Sequence, residues 1–168
     1  MILRQQIGIK DSFKIIKKSE KPIIPLIEAI VNSLDSIKQR HALSTFTPYI
    51  SITLDYNKDL LEDANSISLK SVSIEDNGIG FTNESLQRFK NLADGSKLLN
   101  NRGTGKIQMF HRFKSIIVKS SFEENNSFYN VNLKYSIDDV LEPDEPKTLS
   151  ASSSENKTVV TCLLYTSD

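Results

Sequence analysis

Residues 22 to 40, PIIPLIEAIVNSLDSIKQR, constrain the chain more than any other stretch. Ile23, Ile27, Ile30, Leu34 and Ile37 recur at alternating steps of four and three, a spacing that a helix gathers into one apolar stripe. Pro22 and Pro25 suit the entry and first turn of that helix, where a missing N–H costs little. Glu28, Asn32 and Asp35 follow the same four-then-three steps on a separate line. At about 100° per residue they share a stripe roughly 60° wide. The helix is therefore expected to bury its isoleucine stripe and to aim a carboxylate and an amide from another face. A merely solvated polar face is the plainer alternative for such a triplet.

The rest of the chain reads mostly as strands. In YISITLDY, residues 49 to 56, Ile50, Ile52, Leu54 and Tyr56 alternate, the pattern of a half-buried strand. SVSIED (71 to 76) puts Val72, Ile74 and Asp76 on one face. SIIVKSSF (115 to 122) and SFYNVNLKY (127 to 135) flank EENN and predict a hairpin, and a last strand begins at Thr158. Thr82 is placed to cap a short helix, TNESLQRFKNL, with Ser85 in its first turn, and 106 to 113 predicts another helix. Residues 93 to 105 and 136 to 157 lack periodicity and read as loops. These elements predict an α+β fold, a two-layer α/β sandwich whose mixed, mostly antiparallel sheet carries its helices on one face.

A length of 168 residues suits one domain with its own core. Lys plus Arg equals Asp plus Glu at 21 each, so no large net field draws the chain to nucleic acid or an anionic membrane, although 106 to 119 is locally basic. The single cysteine excludes a disulfide framework and a four-cysteine zinc site. No signal peptide or membrane-length apolar run is present, and the expected setting is soluble and cytoplasmic.

Two glycine-bearing segments complete the chemistry. DNGIG, 76 to 80, ends a strand on an acid and offers two glycines that permit close approach of a ligand. A calcium loop of EF-hand type needs several alternating oxygen ligands and a closing Glu, which IEDNGIGFTNES lacks. RGTGK, 102 to 106, leads into the predicted second helix, and a glycine-rich helix start can cradle phosphate. It is not a Walker A loop, since Asn100 stands at the first glycine position and Ile107 at the hydroxyl position.

Taken in order, these segments resemble the ATP-binding domain shared by gyrase B, heat-shock protein 90, histidine kinases and MutL, the GHKL superfamily with its Bergerat fold. The resemblance spans residues 22 to 161. EAIVNSLDS matches the Glu-x-x-x-Asn-Ala/Ser-x-Asp-Ala/Ser box, DNGIG the Asp-x-Gly-x-Gly box, GSK with NNRGTGK the lid (93 to 105) and second glycine box, and Thr158 the Thr of the third. The resemblance implies ATP and Mg²⁺ as ligands. Asp76 would accept from the adenine amino group, with Thr158 nearby, and Asn32 would coordinate Mg²⁺. Glu28 would act as general base towards water, and Asp35 would support the base-binding side. Gly78 and Gly80 would admit the nucleotide, while Lys97, Gly103, Gly105 and Lys106 would hold phosphate beneath the lid.

The departures are a missing leading glycine at Asn100 or Asn101 and Lys157 where the third box usually has Gly. They put the lid and the adenine-side loop in question. Glu28 favours the hydrolysing branch over sensor histidine kinases, and hydrolysis would drive lid closure or homodimerisation of a larger protein. A serine or histidine kinase-type phosphotransferase and a nucleotide-gated module without turnover are the alternatives. His41 and His111 read as surface or packing residues. No membrane partner is expected, and nucleic acid is not indicated. The family often completes its site with a Lys from a following domain, so the resemblance implies slow hydrolysis by this fragment alone. Cys162 to Asp168, CLLYTSD, is similar to a translated sequencing adapter, which would place the end of the native domain at 161; a natural strand-like tail is the alternative.

Overall fold

The computed structural model describes residues 17–18, 20–21, 23–58, 67–86, 108–136, 147–148 and 155–164. The helix α1 runs Ile24–His41 and is followed by the strands β1 Ile50–Lys58 and β2 Ile67–Asp76. After these come β3 Phe113–Glu124, β4 Ser127–Tyr135, β5 Lys147–Thr148 and β6 Lys157–Leu164. The strands form one six-stranded sheet in the order β1-β2-β6-β3-β4-β5. The hairpin between β3 and β4 turns at Asn125 and Asn126, whose φ values of 53° and 59° are those of a type I′ turn. Asparagine tolerates this left-handed backbone, which explains why EENN closes a two-residue loop.

The expected two-layer sandwich with a mixed sheet is corrected. Every ladder is antiparallel, because β6 inserts between β2 and β3 running opposite to both. β2 and β3 run the same way across a long connection, but β6 lies between them, so no two neighbouring strands are parallel. Helix is scarcer than expected too. Among the described residues α1 is the only long helix, and 83–86 and 108–110 supply about a turn each. The predicted helices of 82 to 92 and 106 to 113 rested on short windows, where periodicity discriminates poorly. Residues 87–92, 106 and 107 lie outside the described ones, while 111 and 112 form a turn and Phe113 already opens β3. Thr82 does cap: its Oγ1 accepts from the Ser85 N–H at 3.3 Å and its carbonyl from the Leu86 N–H at 2.9 Å.

The helix also turns differently from expectation. Ile23, Ile27 and Leu34 are 51%, 44% and 43% exposed, and the buried positions are Pro25, Ala29 and Ser33. Steps of four make these three small residues a single line, and that line meets the sheet. Leu26 and Ile30 flank it and pack on the core. The core lies on the same side of the sheet: Ile74, Met109, Phe110, Phe113, Ile116, Val118, Leu133, Tyr135 and Cys162. Phe110 meets Tyr135 edge-to-face, with centroids 5.5 Å apart. A smaller cluster of Leu86, Phe122 and Val131 sits beside it, with Phe122 stacked on Tyr129.

Strand β6 crosses the 161/162 boundary without interruption, pairing Cys162 with Val72 and Ile116. Burial pushes the Cys162 thiol up to about 12, which keeps it protonated and inert. No described helix is long and apolar enough to cross a membrane.

Candidate functional site

The end of β2 meets the start of β6 beneath α1, and there the polar groups of the inner face collect. Asp76 pairs across the strands with Thr158, and Thr158 pairs in turn with Ser120 on β3. All three are buried, at 2%, 4% and 3% exposure. Groups so buried need partners, and each has one. Asp76 Oδ2 accepts from the Ser33 hydroxyl at 2.8 Å, and Oδ1 from the Gly78 N–H at 2.9 Å. Ser120 Oγ and Thr158 Oγ1 share a hydrogen bond at 2.8 Å, and the Phe81 N–H donates to the same Ser120 oxygen.

Burial pushes the Asp76 carboxyl above its ordinary value, with Glu75 adding to the effect. The Gly78 N–H and the Ser33 and Ser36 hydroxyls pull the other way without reversing it. A carboxylate offers about four lone-pair positions, so the Ser33 and Gly78 donors leave Asp76 acceptor capacity to spare.

The turn 76–80 is held from several sides. Its Ile79 N–H donates to the Ser36 carbonyl of α1 at 3.1 Å. Arg40 Nη1 donates to the Asn77 carbonyl at 2.6 Å while its guanidinium lies 4.2 Å over the Phe46 ring. The Asn77 side chain donates to the Thr47 carbonyl and accepts from the Tyr49 N–H, both at 2.9 Å. Asn156, itself buried, donates to the Gly78 carbonyl at 3.3 Å and accepts from the Glu123 N–H at 3.2 Å.

The two glycines are demanded by this packing. A Cβ on Gly78 would lie 2.2 Å from Ser36 Oγ and 2.6 Å from the Ser36 carbonyl carbon. Gly80 has φ of +83°, and a Cβ there would lie 2.5 Å from that of Phe122. Close approach of the helix is sufficient reason for Gly78, whether or not a ligand also comes near.

The expected site residues are distributed as follows. Asp76, Thr158, Gly78 and Gly80 come together in the buried cluster. Glu28 is half-buried on α1, and Asn32 and Asp35 are exposed. From the helix it is Ser33 that hydrogen-bonds to Asp76, while Ser36 Oγ accepts from the Gly80 N–H at 3.4 Å. Asp35 makes a surface ion pair with Lys38 at 3.6 Å. Lys97, Gly103, Gly105 and Lys106 lie outside the described residues. Among the described residues no three His, Cys, Asp or Glu side chains gather to hold a metal.

Lys157, the departure from the third box, points to the opposite face from Thr158. Its ammonium pairs with Glu75 Oε1 at 2.9 Å, and the Tyr49 hydroxyl donates to the same oxygen. Partial burial raises the Glu75 carboxyl, and the bonds from Lys157 and Tyr49 outweigh it and hold the group below its ordinary value. The Glu75 hydrogen bond raises the Lys157 ammonium.

Sequence reasoning missed Ser120 and Asn156. Ser120 had a signal, a hydroxyl on the face otherwise held by Ile116, Val118 and Phe122. Asn156 had none, sitting in a polar stretch that reads as loop. No protein-family model matches the chain, and no curated protein matches it.

Proposed function

We propose that the chain binds Mg·ATP and hydrolyses it to ADP and phosphate. What supports this reading most is the convergence of three separate motif segments: Ser33 of EAIVNSLDS donates to Asp76 of DNGIG, and Asp76 pairs across the strands with Thr158. Asp76 is an acceptor suited to an amino edge, and the remaining acceptor capacity selects adenine over a base that presents a carbonyl there. Thr158 stands beside it to fix a bridging water.

The same helix that supplies Ser33 displays Asn32 and Glu28 on another face. Mg²⁺ keeps several waters and takes one or two protein groups plus substrate phosphates. An exposed amide at Asn32 with Glu28 one turn earlier fits an ion that arrives with the nucleotide. The Asn32 amide oxygen would hold such an ion, which would supply charge neutralisation at the phosphates. Glu28 takes a proton from the attacking water as that water's oxygen bonds to the terminal phosphorus and ADP leaves.

Calorimetry of Mg·ATP with wild type and Asp76→Asn tests the reading. The amide at position 76 presents a donor where adenine also donates, so binding should be lost while the fold survives. A variant that binds like wild type ends the assignment. Glu28→Ala should retain ATP and lose phosphate release. Phosphate transferred to a partner protein would replace hydrolysis with a kinase activity, and binding without either would leave a nucleotide-gated switch.

A further inference from the structure

The Asn77 carbonyl and the Gly78 N–H belong to one peptide unit, and both of its ends are held. Arg40 Nη1 donates to the carbonyl at 2.6 Å, and the N–H donates to Asp76 Oδ1 at 2.9 Å. A peptide unit is planar, with its C=O and N–H pointing opposite ways, so fixing one end aims the other. The bond from the guanidinium is charge-assisted. It polarises the peptide and strengthens the donation to Asp76.

The backbone alone would not keep this orientation. A flip of the unit would carry Gly78 to positive φ, where glycine goes at no steric cost. In the fold it is Gly80 that has positive φ, and Gly78 does not. The Asn77 side-chain bonds to Thr47 and Tyr49 anchor its Cα, but they do not set the plane of the following peptide. Arg40 does, and it is itself placed: it stands half-buried in the last turn of α1 with its guanidinium 4.2 Å over the Phe46 ring.

Asp76 is thereby fixed at two points, Oδ2 by Ser33 from α1 and Oδ1 by Gly78 from the turn. Two donors set the plane of a carboxylate and the direction of its free lone pairs. Held by Ser33 alone, the group would pivot.

We propose that Arg40 is a positioning residue for base selection. Acting through the Asn77–Gly78 peptide, it holds the free lone pairs of Asp76 where an adenine amino group donates. It so sets the preference for adenine over hypoxanthine, which carries a carbonyl in place of that amino group. The assignment rests on the nucleotide reading above.

Calorimetry of Mg·ATP and of Mg·inosine triphosphate, with wild type, Arg40→Lys and Arg40→Met, tests the proposal. Wild type should prefer ATP, and in Arg40→Met that preference should fall about tenfold or more. Arg40→Lys keeps the charge and a donor without the planar fork, and should fall between the two. It carries the comparison alone if Arg40→Met does not fold. A role confined to stability would weaken both nucleotides together, so a preference unchanged from wild type in the folded variants overturns the proposal. The link to Asp76 is read without nucleotide. In NMR spectra of wild type the Gly78 amide proton should follow the titration of the Asp76 carboxyl, and in Arg40→Met it should lose most of that response. Glu75, the other carboxyl bearing on Asp76, is the same in every variant. A Gly78 amide that titrates in Arg40→Met as in wild type overturns the proposal as well. Wild type that binds neither nucleotide overturns the nucleotide reading and base selection with it, and the amide titration then still shows whether Arg40 holds Asp76.

Discussion

The Ser33 hydroxyl donates to Asp76 Oδ2 at 2.8 Å with both residues buried, so the last residue of β2 is tied to the middle of α1. This bond explains why the helix turns its small residues to the sheet. A larger side chain at position 33 would push the helix off the carboxylate, and the exposed isoleucines are what the rotation leaves outside.

Ser33→Ala removes that donor from a buried carboxyl while leaving shape almost unchanged. A hydrogen bond to a charged group contributes about 1.5–3 kcal/mol, and the variant should lose stability of that order in urea unfolding. A loss below about 0.5 kcal/mol would show that the bond contributes no more than an ordinary surface change.

Gly78→Ala should destabilise by about 1–3 kcal/mol or prevent folding, as overpacking does. The obstruction is partly main chain, since the Ser36 carbonyl carbon and the Ile37 nitrogen lie 2.6 and 2.7 Å from the added carbon. Ser36→Gly should therefore fail to rescue it. Rescue in a thermal melt would mean that the hydroxyl alone is in the way.

Asp76 gives stability a particular slope with pH. Its carboxyl is raised in the fold above 3.8, so folding takes up a proton between the ordinary and the raised value. The group's contribution is most favourable below that window and falls as pH rises through it. Glu75 behaves oppositely: its lowered value adds stability above the ordinary carboxylate range, lost as pH falls through the folded value. Comparing urea midpoints of wild type and Asp76→Asn between pH ~4 and pH ~7 isolates the first effect. Wild type should lose ground to the variant as pH rises, and parallel curves would rule this out.

Lys157→Ala should leave Mg·ATP affinity at the wild-type value, because the side chain lies on the face away from Thr158. The ion pair with Glu75 is partly exposed, at 40% and 29% for the two side chains. Its loss should cost about 0–1 kcal/mol, and less in high salt. A marked fall in ATP affinity by calorimetry would place Lys157 in the site after all.

Periodicity by itself placed a helix at 22 to 40, observed at Ile24–His41, read the alternating segments as strands and made EENN the link of a hairpin, since those properties depend on neighbours a few residues apart. It also brought Glu28, Asn32 and Asp35 onto one line, and the motif segments into view. Tertiary structure alone decided which line of α1 is buried, because an apolar stripe does not say what it meets: Ala29 packs in the core, and Ser33 and Ser36 meet the Asp76 turn. It decided the sheet as well: β6 pairs with both β2 and β3 through contacts distant in sequence, and no local pattern encodes a partner. The bonds of Asn156 and Ser120 belong to the same class. They form between groups brought together by the register of the sheet, and their physical origin is the need to satisfy polar atoms that only folding removes from water.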